Sequence, residues 1–290
     1  MKNSIESIKH KLRKIAEKEN LDFDVVLYQY FRESLLYRLS ISPYRSRFCL
    51  KGGSFLYALN QQKGRPTIDI DIEGIHISNN PKYLKSIFEE ICQIEFPDDF
   101  VIFNLENLIV EPINESGKYQ GIRFRRIEAK LGSSKKELQI DIGFGDAITP
   151  APQEIDFPIL LLNREIKIQG YPVETLIAEK FQAMIDLGEQ NSRMKDFYDV
   201  FQELKKLNYN EETLEKAIKN TFARRSTSYQ TNHPLFSESF DKDEDRLALW
   251  KNFLKKSNLD ETIRFQEVLI IIKEKLEPIY EKLNPNISKK

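Results

Sequence analysis

Two cysteines, three histidines and one tryptophan in 290 residues leave little room for several familiar chemistries. Cys49 and Cys92 have neither a second Cys nor a His at metal-ligand spacing, so a zinc ribbon or a disulfide framework has no support and both read as buried thiols. His10, His76 and His233 form no constellation along the chain. No run of about 18 apolar residues is present, which leaves no candidate for a spanning helix. The polar stretch MKNSIESIKHKLRK lacks the apolar centre of a signal peptide, so a cytoplasmic protein without a membrane partner is expected. Neither sign of charge is in excess: 44 basic side chains meet 45 acidic ones, and any nucleic-acid surface must be a local patch. Internal repeats are absent as well.

What is present suits a soluble α/β chain. With 40% hydrophobic and 31% charged residues, it can bury one large core or two ordinary ones. Apolar residues at helical spacing from about Ile5 to Leu39 predict two helices before Pro43. A short apolar run at 48–50, a Gly52-Gly53-Ser54 turn and a helix starting near Phe55 then make a strand, turn and helix unit. Alternation over 67–75, a helix over 80–92 and apolar stretches near 100–111, 119–129 and 137–142 predict a mixed sheet. The Pro-containing stretch 150–158 marks a boundary. It divides a first domain, 1–150, from a mainly helical second domain, 151–290. Helices are expected there over 173–184, 195–207 and 211–222, with two amphipathic stretches over 244–283 and a frayed end from Asn284.

The most informative segment is 67–73, ThrIleAspIleAspIleGlu. A period of two sends Ile68, Ile70 and Ile72 to one face and Asp69, Asp71 and Glu73 to the other. Aspartate disfavours strands, and like charges side by side repel, so such a pair calls for a compensating cation. Magnesium, or manganese in its place, fits because it takes one or two carboxylates together with substrate phosphates. A DxD pair by itself is more often a solvated acidic strand face. The upstream Gly52-Gly53-Ser54 changes the balance, since small residues at a strand-to-helix turn let backbone N–H groups approach a phosphate, and the Ser hydroxyl can add a hydrogen bond.

The composite is GlyGlySer, ten residues, then Arg65-Pro66-Thr67-Ile68-Asp69-Ile70-Asp71. It resembles the AbiEii/AbiGii nucleotidyltransferase toxins, which include the MenT toxins and whose first motif is GGS, ten residues, then RxSxDxD. Thr67 replaces the Ser and keeps the hydroxyl. Blocks at 37–43, 48–53, 140–146, 178–180 and 193–199 extend the resemblance over roughly 27–205.

That likeness implies a polymerase-β-like nucleotidyltransferase fold, with a mixed sheet, N-terminal helices and a helical C-terminal region. It further implies a toxin of a type IV toxin–antitoxin or phage-defence pair, transferring a nucleoside monophosphate from a nucleoside triphosphate to an RNA acceptor such as the acceptor end of tRNA. A separate DNA-binding regulator is the implied antitoxin. Asp69 and Asp71 are the expected metal ligands. Asp141 is the third carboxylate, as ligand or base, with Asp146 the weaker alternative. Lys180 is the expected cation for the triphosphate, and Asp196 or Asp199 orients it or the nucleotide. Gly52, Gly53, Ser54, Arg65, Thr67, Arg193 and Lys195 complete the expected nucleotide site.

Arg123, Arg125, Arg126, Arg224 and Arg225 form a basic group that could position an RNA backbone. Two other functions compete with transfer. One is a catalytically silent nucleotide- or RNA-binding module, which intact Asp69, Asp71, Asp141 and Lys180 argue against. The other is a protein-modifying phosphotransferase, which the absence of a GxxxxGK[ST] loop and of a kinase catalytic-loop pattern argues against.

Overall fold

The computed structural model describes residues 4–60, 65, 67, 69–115, 119–161 and 165–286. Pro66 and Ile68 of the central motif, and the last four residues of the expected frayed end, lie outside the described residues. The chain divides into two compact units. The first comprises 1–145 and 153–170, the second 146–152 and 171–290.

The first unit opens with α1 (Ile5–Glu19) and α2 (Phe23–Ile41). Ser4 caps α1 by accepting from the Ser7 amide, and Asn20 ends it in the left-handed conformation that a short amide side chain tolerates. There follow β1 (Phe48–Leu50), α3 (Gly52–Leu59), β2 (Ile70–Gly74) and α4 (Pro81–Gln93), the last capped by Asn80 with Pro81 at its first turn. Helix α3 begins at Gly52, three residues before the start expected from hydrophobic periodicity.

The strands β3 (Ile102–Asn104), β4 (Ile109–Glu115), β5 (Tyr119–Leu131), β6 (Ser134–Phe144), β7 (Gln153–Pro158) and β8 (Glu165–Gly170) complete the unit. Among the described residues, eight strands form one sheet in the order β3-β5-β6-β2-β1-β8-β7, with β4 also on β5. The sheet is mixed: β2 runs parallel to β6 and β1 parallel to β8, while β1–β2, β5–β6 and β7–β8 are antiparallel.

The β7–β8 hairpin falls where the proline-containing stretch reads as a boundary. The chain passes into the second unit at 146, returns for this hairpin, and leaves again at Tyr171. Pro158 closes the outermost strand, β7, where a missing N–H breaks no ladder.

Ile70, Ile72, Ile140 and Ile142 are buried, so the apolar face of β2 and β6 is committed to the core and the acidic residues between them must point the other way. Helix α2 also carries three buried ionisable side chains, Arg32, Glu33 and Arg38. Burial pushes the Glu33 carboxyl up to about 8, although the Leu160 amide, the neighbouring Arg32 and the Tyr57 hydroxyl favour its ionised form. Arg32 stands 4.7 Å above the Tyr57 ring.

In the second unit, α5 (Val173–Leu187), α6 (Met194–Lys206), α7 (Glu211–Arg224), α8 (Glu244–Lys256) and α9 (Phe265–Leu283) enclose a core that includes Phe181, Phe197, Phe222, Trp250 and Leu276. Each such fully buried side chain is worth about 1.5–3 kcal/mol of transfer free energy. Among the described residues, no helix is long and apolar enough to cross a membrane.

Candidate active site

The turn between β1 and α3 is built against the aspartates. Gly52 has φ +59°, and a Cβ on it would lie 2.3 Å from Asp71 Oδ2. A Cβ on Gly53 would lie 2.4 Å from Thr67 Oγ1. Both glycines are therefore required by close approach, and Gly52 also by its backbone conformation. The Lys51 amide donates to the Asp71 carbonyl at 2.9 Å, and Ser54 Oγ donates to the Asp69 carbonyl at 3.1 Å. Ser54 is fully buried, so the hydroxyl expected to reach a phosphate instead fixes the backbone that carries the carboxylates.

Asp71 beside the start of α3 is also well placed in charge, since the unsatisfied N–H groups of a helix N-terminus favour an anion. Gly52→Ala should cost activity by at least about 10²-fold through displacement of Asp71, as misplacing a catalytic group by an ångström does. Comparing kcat with the melting temperature of the same preparation checks this. Equal activity in a folded variant would mean that Asp71 need not stay where the turn holds it.

The sheet register lines up the carboxylates. Asp71 on β2 pairs directly with Asp141 on β6, and Asp141 pairs with Arg123 on β5. Adjacent strands lie about 4.8 Å apart, so the two aspartates are immediate neighbours. Asp69 immediately precedes β2.

Glu73, expected on the same acidic face, is buried and ion-paired with Lys51 at 2.8 Å. It serves to anchor the lysine before the glycine turn.

Arg123 does not stand free as part of an RNA-facing group. Its Nε and Nη2 donate to the two Asp141 oxygens at 2.8 and 2.6 Å, and Gln139 Nε2 donates to Oδ1 at 3.3 Å. The hydrogen bonds to Asp141 raise the guanidinium's pKa against a smaller opposing effect of burial, and the charges of Asp141 and Asp69 raise it further. The other arginines scatter. Arg125 pairs with Glu111, Arg126 sits at a left-handed position where the β5–β6 register shifts, and Arg225 in the second unit pairs with Asp146 and Glu179.

The donor set suits a hard divalent cation, being carboxylate oxygens on neighbouring strands. Among the described residues, no three acidic, His or Cys side chains converge closely enough to hold one. Both oxygens of Asp141 are turned to Arg123.

Two residues of α2 escaped the sequence reading. Burial pushes the Tyr28 phenol up to about 12; a backbone hydrogen bond with Gln139 opposes the rise and the charge of Asp69 adds to it. Arg32, only 2% exposed, donates from Nη1 to the Thr67 carbonyl at 2.9 Å and so holds the segment leading into Asp69. Its Nε has no hydrogen-bond partner among the described residues. The adjacent charges Arg32 and Glu33, set among Phe31, Leu35 and Leu36, are the available signal. Arg65 and Thr67 are half-buried in that same segment.

In the second unit, Lys180 on α5 bridges two carboxylates of α6, at 2.7 Å from Asp196 and 2.9 Å from Asp199. Burial alone would push the Asp196 carboxyl up, but the Lys180 and Arg193 charges and the Lys180 hydrogen bond hold it below its ordinary value. Arg193 Nε lies 2.7 Å from Asp196 Oδ2, and Lys195 is exposed. Asp146, the weaker candidate for the third carboxylate, is in this unit and pairs with Arg225 at 3.0 Å, whereas Asp141 is in the first unit beside Asp71.

Comparison with known proteins bears on this arrangement. Residues 34–270 match the family described as nucleotidyl transferase AbiEii toxin of type IV toxin–antitoxin systems. Among solved structures, the chain is similar to MenT4, a nucleotidyltransferase toxin from Mycobacterium tuberculosis H37Rv, with TM-score 0.52 and 15% identity over 97% of this chain and 99% of that one. It is also similar to JHP933 from Helicobacter pylori, with TM-score 0.51 and 16% identity over 91% and 94% of the two chains. At such identities the likeness establishes the fold, here a nucleotidyltransferase-like one. No curated protein matches the sequence.

Proposed function

Because this chain belongs to the AbiEii family of nucleotidyl transferase toxins of type IV toxin–antitoxin systems, we propose that it transfers a nucleoside monophosphate from a nucleoside triphosphate to the terminal hydroxyl of an RNA, with tRNA the leading acceptor. The observation that supports this most is the pairing of Asp71 with Asp141 on adjacent parallel strands, with Asp69 just before and Gly52 packed against Asp71. Such a concentration of carboxylates is costly without a cation and useful with one.

In the transfer, the acceptor oxygen bonds to the α-phosphorus, the bond to the bridging oxygen breaks, and pyrophosphate leaves. The hydroxyl proton passes to a base, and Asp141 is the candidate when it is not a metal ligand. A magnesium or manganese ion held by Asp69 and Asp71 would supply charge neutralisation at the phosphates. The amides at Gly52 and Gly53 open the helix N-terminus toward phosphate oxygens, while Arg65 and Thr67 flank them on the incoming segment. Lys180, oriented by Asp196 and Asp199, is assigned the role of a fixed positive charge for the nucleotide. Arg193 and Lys195, which the resemblance adds to the nucleotide-binding residues, lie at the start of α6.

Consumption of tRNA ends would stop translation, which suits growth arrest or defence against phage in the cytoplasm. A cognate antitoxin would restrain it, with a DNA-binding regulator as the expected type.

The acceptor is tested with total RNA, the four α-labelled triphosphates and magnesium. RNA of tRNA size should take up label, and RNA whose terminal diols have been oxidised with periodate should not. Undiminished labelling of oxidised RNA would exclude the terminal hydroxyl as acceptor.

A further inference from the structure

The bidentate contact between Arg123 and Asp141 conflicts with the use of Asp141 as a metal ligand. A magnesium ion needs oxygen donors at about 2.0–2.1 Å in near-octahedral array. Both Asp141 oxygens already accept from Arg123, at 2.8 and 2.6 Å. A guanidinium at that distance also places a positive charge where it repels a divalent cation. The Arg123 side chain retains 34% of its exposure against 17% for Asp141, so the arginine has a solvent side to move toward while the aspartate is held in the strand.

We infer that Arg123 is a displaceable counter-ion of the carboxylate group: it neutralises Asp141 when no metal is bound and must leave Asp141 for a divalent cation to take all three carboxylates. The step is an exchange of one cation for another on the same oxygens, with no bond made or broken in the chain. It has a cost and a use. Metal alone binds weakly, because the released guanidinium exchanges a two-point contact for water. Phosphates arriving with the metal offer that guanidinium fork a new anion. By linkage, metal and triphosphate then strengthen each other's binding. The inference rests on the metal reading proposed above.

Titration of the nucleotide-free, full-length chain with Mn²⁺, followed by electron paramagnetic resonance of the free ion, tests it without any activity measurement. Arg123→Gln should bind Mn²⁺ about tenfold more tightly than the wild type, since it removes both the competitor and its charge. Arg123→Lys, which keeps the charge but loses the fork, should fall between them. The gain must also run through Asp141, so in an Asp141→Asn background the Arg123→Gln change should give little or none.

Unchanged or weaker binding in a folded Arg123→Gln variant would overturn the inference, as would a full gain that persists without the Asp141 carboxylate. Asp71→Asn separates the two layers of the account. If it abolishes Mn²⁺ binding while Arg123→Gln changes nothing, the exchange is wrong and the metal site stands. If Mn²⁺ binding is indifferent to Asp71, the metal site itself falls and the exchange with it.

Discussion

Asp71→Asn should lower nucleotidyl transfer by at least about 10³-fold, or ~4 kcal/mol of transition-state stabilisation, while leaving the protein folded. Asparagine keeps the shape that packs against Gly52, so the turn has no steric reason to move. Asp141 on the paired position of β6 is already answered by Arg123, so the loss of the Asp71 charge should move the melting temperature by no more than about 1–2 °C. That combination, activity lost and stability held, is the mark of a site kept for a bound cation. Initial rates with labelled triphosphate and a thermal melt on the same sample measure both. A variant that loses stability and activity together would instead make Asp71 part of the framework.

Lys180→Met should behave in the opposite sense. The lysine is a partner of Asp196 and Asp199, whose side chains are 0% and 3% exposed, so its removal leaves buried negative charge, partly answered by Arg193 at Asp196. Loss of one member of such a buried group costs about 3–5 kcal/mol. The deficit should depend on pH. With Lys180 present, the Asp196 pKa lies below its ordinary value, and the stability this contributes is lost only as pH falls through the acid range. With Lys180 gone, burial dominates and pushes the same carboxyl upward. The folded state then binds the proton more tightly than the unfolded one, so the variant recovers stability toward low pH. Denaturant melts at pH 5 and pH 8 should give the smaller deficit at pH 5. Adding Asp196→Asn and Asp199→Asn should restore much of the stability. Transfer activity should stay lost, because no neutral side chain supplies the charge assigned to Lys180. Activity restored together with stability would reduce Lys180 to a packing role.

These residues differ in how far the sequence exposes them. Asp69 and Asp71 are legible because the alternation with Ile70 and Ile72 fixes their face, and the glycines are legible as a tight turn. Their mutual contact is not, since the approach of Gly52 to Asp71 is a property of the β1–β2 pairing. Arg123 reads as one of a basic group because its partner lies 18 residues away and is identified only by the β5–β6 register. Glu73 reads with the acidic face for the same reason. Its partner Lys51 is on the other side of the turn.

The α1, α2 and C-terminal helices follow from apolar spacing. The β7–β8 hairpin does not, because Pro150 to Pro158 carries boundary signals, and two short strands gain their stability from β1, about a hundred residues earlier. Helix α2 holds the clearest missed signal. Arg32 and Glu33 interrupt its buried surface, and such charges persist when something nearby needs them, here the Thr67 carbonyl and the Leu160 amide.

The central claim is that the carboxylates on β2 and β6 direct attack at the α-phosphorus of a nucleoside triphosphate. Parallel reactions with α-labelled and γ-labelled triphosphates, magnesium and total RNA test it most directly. Wild-type protein should place the α label, and none of the γ label, on RNA, and Asp71→Asn should place neither. Transfer of the γ label, or undiminished α-label transfer by Asp71→Asn, would contradict it.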